Sequence, residues 1–212
     1  MKEKQKDRTL FVSTIILVII HIAGIIGIHS PLKDLFLMLT PFNLIICISL
    51  LFFNHLSFNK SFFIFCIITF FISFFIEVVG VRTGIIFGNY SYGATLGLKV
   101  FNVPIIIGAN WMMLTYCVGV ICNKINASVL LKSMLGSSIL VMFDYVLEPV
   151  AIKYNYWNWN SADVPFQNYV GWFVVSFLFL LFFNNLNFTK NNKLAQSLFI
   201  IQFIFFILLG LF

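Results

Sequence analysis

The chain has 212 residues, of which 61% are hydrophobic, 18% aromatic and only 9% charged. A soluble domain covers its surface with roughly a quarter charged residues, so this composition excludes one and demands lipid as the main solvent. The formal net charge of +6 comes from basic residues scattered singly between apolar runs, the pattern of loops oriented in a bilayer, and gives no ground for a nucleic-acid partner.

A helix needs about 20 apolar residues to cross the hydrocarbon core. In chain order the candidate runs are 9–28, 35–53, 61–81, 104–122, 131–150, 169–184 and 194–212. Of these, 169–184 is short and 35–53 is interrupted near Pro41. The first run follows the basic segment MKEKQKDR; it is too long, and lacks a small-residue cleavage site, for a removable signal peptide. Long unbroken runs without alternation exclude a β-barrel. The expected fold is therefore all-α: one polytopic transmembrane domain over residues 1–212 with about seven helices, in the cell (inner) membrane.

With seven crossings and a cytoplasmic N-terminus, the inner side carries Lys2, Lys4, Lys6, Arg8, Lys60, Lys124, Lys132, Lys190 and Lys193. The outer side carries Lys33, Arg82, Lys99 and Lys153. This bias fits the positive-inside rule. Both long loops, 82–103 and 151–168, then fall on the outer side, together with the ends of the spans that carry Glu77, Asp144 and Glu148.

Asp144 and Glu148 are four residues apart and stack on one helix face. Pro149 is expected to disturb the turn before it and free carbonyls near that face. A carboxylate inside the membrane boundary costs roughly 2.5–3.5 kcal/mol at a helix centre. Crowded acids there share protons, one serving as an acid while another stays ionised. That arrangement suits general acid/base work on an apolar substrate.

The two outer loops echo each other. Tyr90 and Tyr92 in one match Trp157 and Trp159 in the other. Each loop then carries Val-Pro and, seven residues after the proline, a tryptophan: Pro104 to Trp111 and Pro165 to Trp172. Two such units running in one direction imply a parallel repeat about an axis along the membrane normal. Aromatic faces attract cations, so these rings can steady a transient carbocation formed by protonating a carbon–carbon double bond.

Plainer readings stand beside these. Each ring alone suits an interfacial anchor, and Glu77 with Arg82 suits a boundary ion pair. Gly80, Gly84, Gly88, Gly93 and Gly97 suit turns and close helix approach, and Asp163 suits a turn. His21, inside the first span, reads as a packed histidine. Cys47, Cys66, Cys117 and Cys122 read as small buried hydrophobes, with neither a disulfide framework nor a metal site among them.

Two stretches resemble the signatures of the bacterial and archaeal carotenoid biosynthesis membrane proteins. "TGIIFGNYSYGATLGLKVFNVP" is similar to that family's TGxPFGxYxYxxxLGPxxxGVP. "FDYVLEPVAIKYNYWNW" with "VPFQNYVGW" is similar to its Asp, acid-Pro-Val, WxW and VPxxNxxGW series. The resemblance covers about residues 74–176. It implies a carotenoid 1,2-hydratase that adds water to the terminal double bond of an acyclic end group, as in lycopene, γ-carotene or a bisanhydrobacterioruberin-type carotenoid, without a cofactor. The implied partners are a membrane-dissolved carotenoid, water, the bilayer and other enzymes of the pathway.

On this resemblance Asp144, Glu148 and Glu77 are the candidate catalytic acids. Tyr90, Tyr92, Trp111, Trp157, Trp159, Asn168, Trp172, Phe87 and Arg82 are the candidate substrate-binding residues. Ile86 and Leu98 stand where the family usually has proline, "IIGANW" replaces the more usual "IPLAW", and Glu148 stands where aspartate is common. Two rivals are a lycopene-cyclase-like isomerase, which makes the same cation but leaves product mass unchanged, and a non-enzymatic carotenoid-binding protein.

Overall fold

The computed structural model describes the backbone of residues 2–212 and the side chains from residue 5 onward, so the side chains of Lys2 and Lys4 from the inner basic set lie outside the described residues. Eight helices follow one another: α1 (Lys2–Ile28), α2 (Lys33–Met38), α3 (Thr40–Phe53), α4 (Lys60–Thr83), α5 (Ile106–Cys122), α6 (Val129–Lys153), α7 (Phe166–Asn185) and α8 (Lys193–Leu211). Five of them, α1, α4, α6, α7 and α8, are long and apolar enough to cross a membrane. The chain is a helical membrane protein.

The expected single span over 35–53 is instead two helices. Pro41 lacks an N–H and its ring would meet the carbonyl four residues back, so it starts a new helix rather than continuing the old one. It lies in the first turn of α3, and Leu39 closes α2 and opens α3. The 14 residues of α3 and the 17 of α5 span about 21 and 26 Å, against a hydrocarbon core of about 30 Å. Helix length alone thus does not establish seven crossings.

Packing follows from the sequence faces. On α4, Phe63, Ile67, Phe71 and Phe75 recur every four residues and are about half exposed, whereas Phe62, Phe65, Thr69, Ser73 and Glu77 are buried. The first set faces lipid and the second faces the bundle. On α5 every residue from Trp111 to Val120 is buried, as expected of a helix apolar on all sides. It is the centre of the molecule, packed on α4, α6 and α8.

At one end, α4, α6 and α8 begin with side-chain caps from Asn59, Ser128 and Asn192, each accepting from a backbone N–H of the first turn. Such caps satisfy donors that the helix itself leaves unpaired. Asn59 Nδ2 donates to Asn187 O at 2.9 Å and ties the start of α4 to the connection between α7 and α8. Lys60 and Lys193 open α4 and α8 at this end, away from the three acids.

The other end is organised by the two long loops. Strand β1 (Tyr90–Tyr92) pairs antiparallel with β4 (Trp157–Trp159), in the register Tyr90–Trp159, Ser91–Asn158 and Tyr92–Trp157. A short hairpin joins β2 (Lys99–Val100) to β3 (Val103–Pro104). Its two connecting residues, Phe101 and Asn102, both have positive φ, which matches the twist of tight hairpins. Gly93 must be glycine here, because a Cβ would stand 1.9 Å from Asn155 O.

Candidate active site

Each long loop returns its aromatic pair to the glutamate at the end of the helix before it. Glu77 Oε2 accepts from the Tyr90 hydroxyl and, at 2.8 Å, from the Tyr92 hydroxyl. Glu77 Oε1 accepts from Trp111 Nε1 at 2.8 Å. Glu148 Oε2 accepts from Trp157 Nε1 at 3.0 Å and Trp159 Nε1 at 2.9 Å. The β1–β4 register is symmetric about Ser91 and Asn158, so the two aromatic pairs and their carboxylates are related by an approximate two-fold. Trp111 and Trp172 stack on each other across the same axis, with centroids 4.2 Å apart.

The two halves are not identical. Four residues before Glu148 lies Asp144; four before Glu77 lies Ser73, bonded to Phe70 O. Asn168, three after Pro165, donates one amide nitrogen to both acids of the second half: 2.6 Å to Asp144 Oδ2 and 3.2 Å to Glu148 Oε1. Three after Pro104 the first half has Ile107. Asp144 is fully buried, and its Oδ1 has no hydrogen-bond partner among the described residues.

The acids are thus unequal. Glu77 and Glu148 each collect three N–H or O–H donors. Asp144 collects one. Burial, and then the charge of Glu77 beside them, push the phenols of Tyr90 and Tyr92 well above their usual range. Both therefore stay protonated and act as donors. The two glutamates and Asn168 line a cavity of about 30 Å³ walled by Phe87, Trp111, Trp172 and the paired aromatics. A cavity of this size takes a water molecule.

A second cavity of about 270 Å³ adjoins it, between α1, α3, α5, α6 and α8. Ile107, Asn110, Leu147 and Trp157 belong to the walls of both. Its lining is mostly apolar, and it includes Phe42 and Ile46, which are exposed on the lipid-facing side of α3. The cavity therefore opens sideways toward the bilayer.

Of the sequence candidates, Glu77, Glu148, Tyr90, Tyr92, Trp111, Trp157, Trp159, Asn168, Trp172 and Phe87 line the small cavity, and Asp144 is joined to it through Asn168. Arg82 is not brought to it: its guanidinium lies over the Phe101 ring at 5.1 Å, exposed. The boundary ion pair with Glu77 is replaced by the hydroxyl and indole donors. Pro149 sits on the exposed side of α6, and the helix continues past it to Lys153. Asn110, in the walls of both cavities, is not signalled by the sequence, since a lone asparagine in an apolar run has no distinguishing spacing.

A stretch of 125 residues is 30% identical to the bisanhydrobacterioruberin hydratase of Haloarcula japonica, covering 53% of this chain and 41% of that protein. The match thus spans about two-fifths of the length of that relative. No solved structure matches the chain. The sequence model described as "Carotenoid biosynthesis protein" matches residues 36–212, which include every element of the two-fold site. The chain belongs to that carotenoid biosynthesis family.

Proposed function

We propose that the protein is a carotenoid hydratase, adding water to the terminal double bond of an acyclic carotenoid end group such as that of lycopene or γ-carotene. The observation that carries this reading is the unpartnered, buried Oδ1 of Asp144, next to a Glu148 already supplied with three donors. A carboxyl with a free oxygen in an apolar site can hold a proton that no neighbour claims. A fully solvated-by-protein carboxylate beside it can receive one.

In the proposed reaction the end group enters the large cavity from the bilayer and places its double bond against the small one. The Asp144 proton passes to Glu148, which lines the small cavity, and the π electrons form a new C–H bond with it, leaving Glu148 ionised and a tertiary cation at C1. The rings of Trp111, Trp157, Trp159 and Trp172 face this charge where water is scarce. Water held near Asn168 attacks C1, and its surplus proton passes to Glu148. Return of that proton to Asp144 resets the pair, and the substrate has gained one water. The conversion is redox-neutral, so a proton donor and acceptor supply what it needs.

Expression in a lycopene-accumulating host tests this. Pigment should gain the mass of one water with the native protein and remain unchanged with Asp144→Asn. A product of unchanged mass but altered absorption would support the cyclase-like reading. Pigment that co-purifies unaltered with the native protein would support a carrier instead.

A further inference from the structure

The cavity of about 270 Å³ is apolar over most of its wall, yet polar side chains reach it from several helices, among them His21 of α1, Asn43 of α3 and Gln202 of α8. His21 and Gln202 are each 4% exposed. Polar groups at this depth are costly unless they are paired or serve a ligand. Among the described residues, the buried Oδ1 of Asn43 has no hydrogen-bond partner.

The imidazole adds a direction. His21 Nδ1 lies 2.7 Å from Leu17 O, a group that only accepts, so the Nδ1 proton is committed to it. In the neutral ring Nε2 is then a free acceptor. An acceptor and two amides within one apolar wall match a group that both gives and takes a hydrogen bond, which a hydrocarbon lacks and an alcohol has.

From this geometry we infer a hydroxyl-recognition subsite, formed by His21, Asn43 and Gln202, for an isoprenoid whose alcohol lies along the chain from its reacting double bond. The inference rests on the proposed function for the identity of the small cavity, lined by Glu77 and Glu148. It concerns binding in the large one. Ile107, Leu147 and Trp157, common to both walls, would hold the alkene end while the alcohol is anchored further along. A volume near the lower end of ligand pockets takes one end group and leaves the polyene in lipid, consistent with the lateral opening at Phe42 and Ile46.

The test uses the full chain in phosphatidylcholine nanodiscs and follows tryptophan fluorescence, since Trp157 lines the cavity. The probes are nerolidol, a sesquiterpene tertiary alcohol, and farnesene, the hydrocarbon of the same skeleton. The native protein should bind nerolidol about tenfold more tightly than farnesene, the worth of one to two net hydrogen bonds. His21→Phe and Gln202→Leu should bring that ratio close to one with farnesene binding retained, which also shows that the variants fold. If either variant loses both ligands, Asn43→Leu, on the half-buried face of α3, makes the same test. An equal affinity of the native protein for the two probes, or a ratio the variants leave unchanged, overturns the subsite. Asp144→Asn should keep the ratio; because binding is read without turnover, failure of the hydration reading and failure of the subsite are separate results.

Discussion

Trp111 lies face to face with Trp172, with centroids 4.2 Å apart and ring planes 27° from parallel, yet only Trp111 donates to an acid, at 2.8 Å to Glu77. The stack and the hydrogen bond can therefore be separated. Trp111→Phe keeps an aromatic face against Trp172 but removes a donor from a buried carboxylate, a loss of about 1.5–3 kcal/mol for a bond to a charged group. Trp172→Phe keeps the stack and takes no donor from Glu77. Thermal unfolding in detergent should show the larger drop for Trp111→Phe. Equal drops would mean that the rings matter only as packing.

Glu148 depends on two indole donors from one strand, Trp157 and Trp159. Each single change to Phe should lower formation of hydrated pigment by about 10²-fold, within the range that one positioned hydrogen bond contributes to a charged transition state. The double variant should lose less than the product of the two, because residues acting on one carboxylate are not additive. Multiplicative losses would show that the indoles act on something other than Glu148.

Asn168 bridges Asp144 and Glu148 through one nitrogen. Asn168→Leu removes both bonds while filling similar space, and hydrated product should fall by about 10²-fold or more, in line with loss of positioned acid–base geometry. Asn168→Gln, which keeps the amide on a longer stem, should recover part of that loss. Full activity in Asn168→Leu would place the working proton elsewhere.

Much of this arrangement is written in local sequence. Runs of apolar residues fix the helices because a helix alone satisfies its backbone in lipid, and the four-residue spacing puts Asp144 and Glu148 on one face. The Tyr-x-Tyr and Trp-x-Trp pairs announce a repeat, although only the strand register shows that the pairs face each other and serve different glutamates. What spacing does not carry is contact between distant segments. His21, Asn43 and Gln202 come from three helices far apart in sequence, and each alone looks like an isolated polar residue in an apolar run. Arg82 follows Glu77 by five residues and reads as a partner to it, but the loop folds the tyrosines inward and leaves the arginine over Phe101.

Close helix approach gives a prediction independent of the chemistry. A Cβ on Gly108 of α5 would stand 2.6 Å from Phe70 O of α4 and 3.2 Å from Phe74 Cβ. Backbone cannot yield as a side-chain tip can, so Gly108→Ala should cost about 1–3 kcal/mol, the usual penalty of overpacking. Gly210→Ala is the control, since its Cβ meets only Val150 Cγ2 at 3.6 Å. A lowered unfolding temperature for the first and an unchanged one for the second is the expected pair.

His55 links acidity to stability at the end remote from the acids. Its Nε2 lies 2.8 Å from Ser57 O, which only accepts, so Nε2 carries the proton and Nδ1 accepts from the Tyr116 hydroxyl at 2.7 Å. Burial lowers the pKa of His55, with the Ser57 bond opposing, so the folded protein favours the neutral ring. The unfolded chain binds a proton first as pH falls below about 6.5. Between the unfolded value and the lower folded one it holds more protons, so stability rises with pH across that window and is lost on acidification through it. Unfolding temperature should therefore decline as pH is taken from about 7.5 to about 5, and the decline should be shallower in His55→Gln, which is less stable at the neutral end. A variant that retains the full acid sensitivity would assign it to another group.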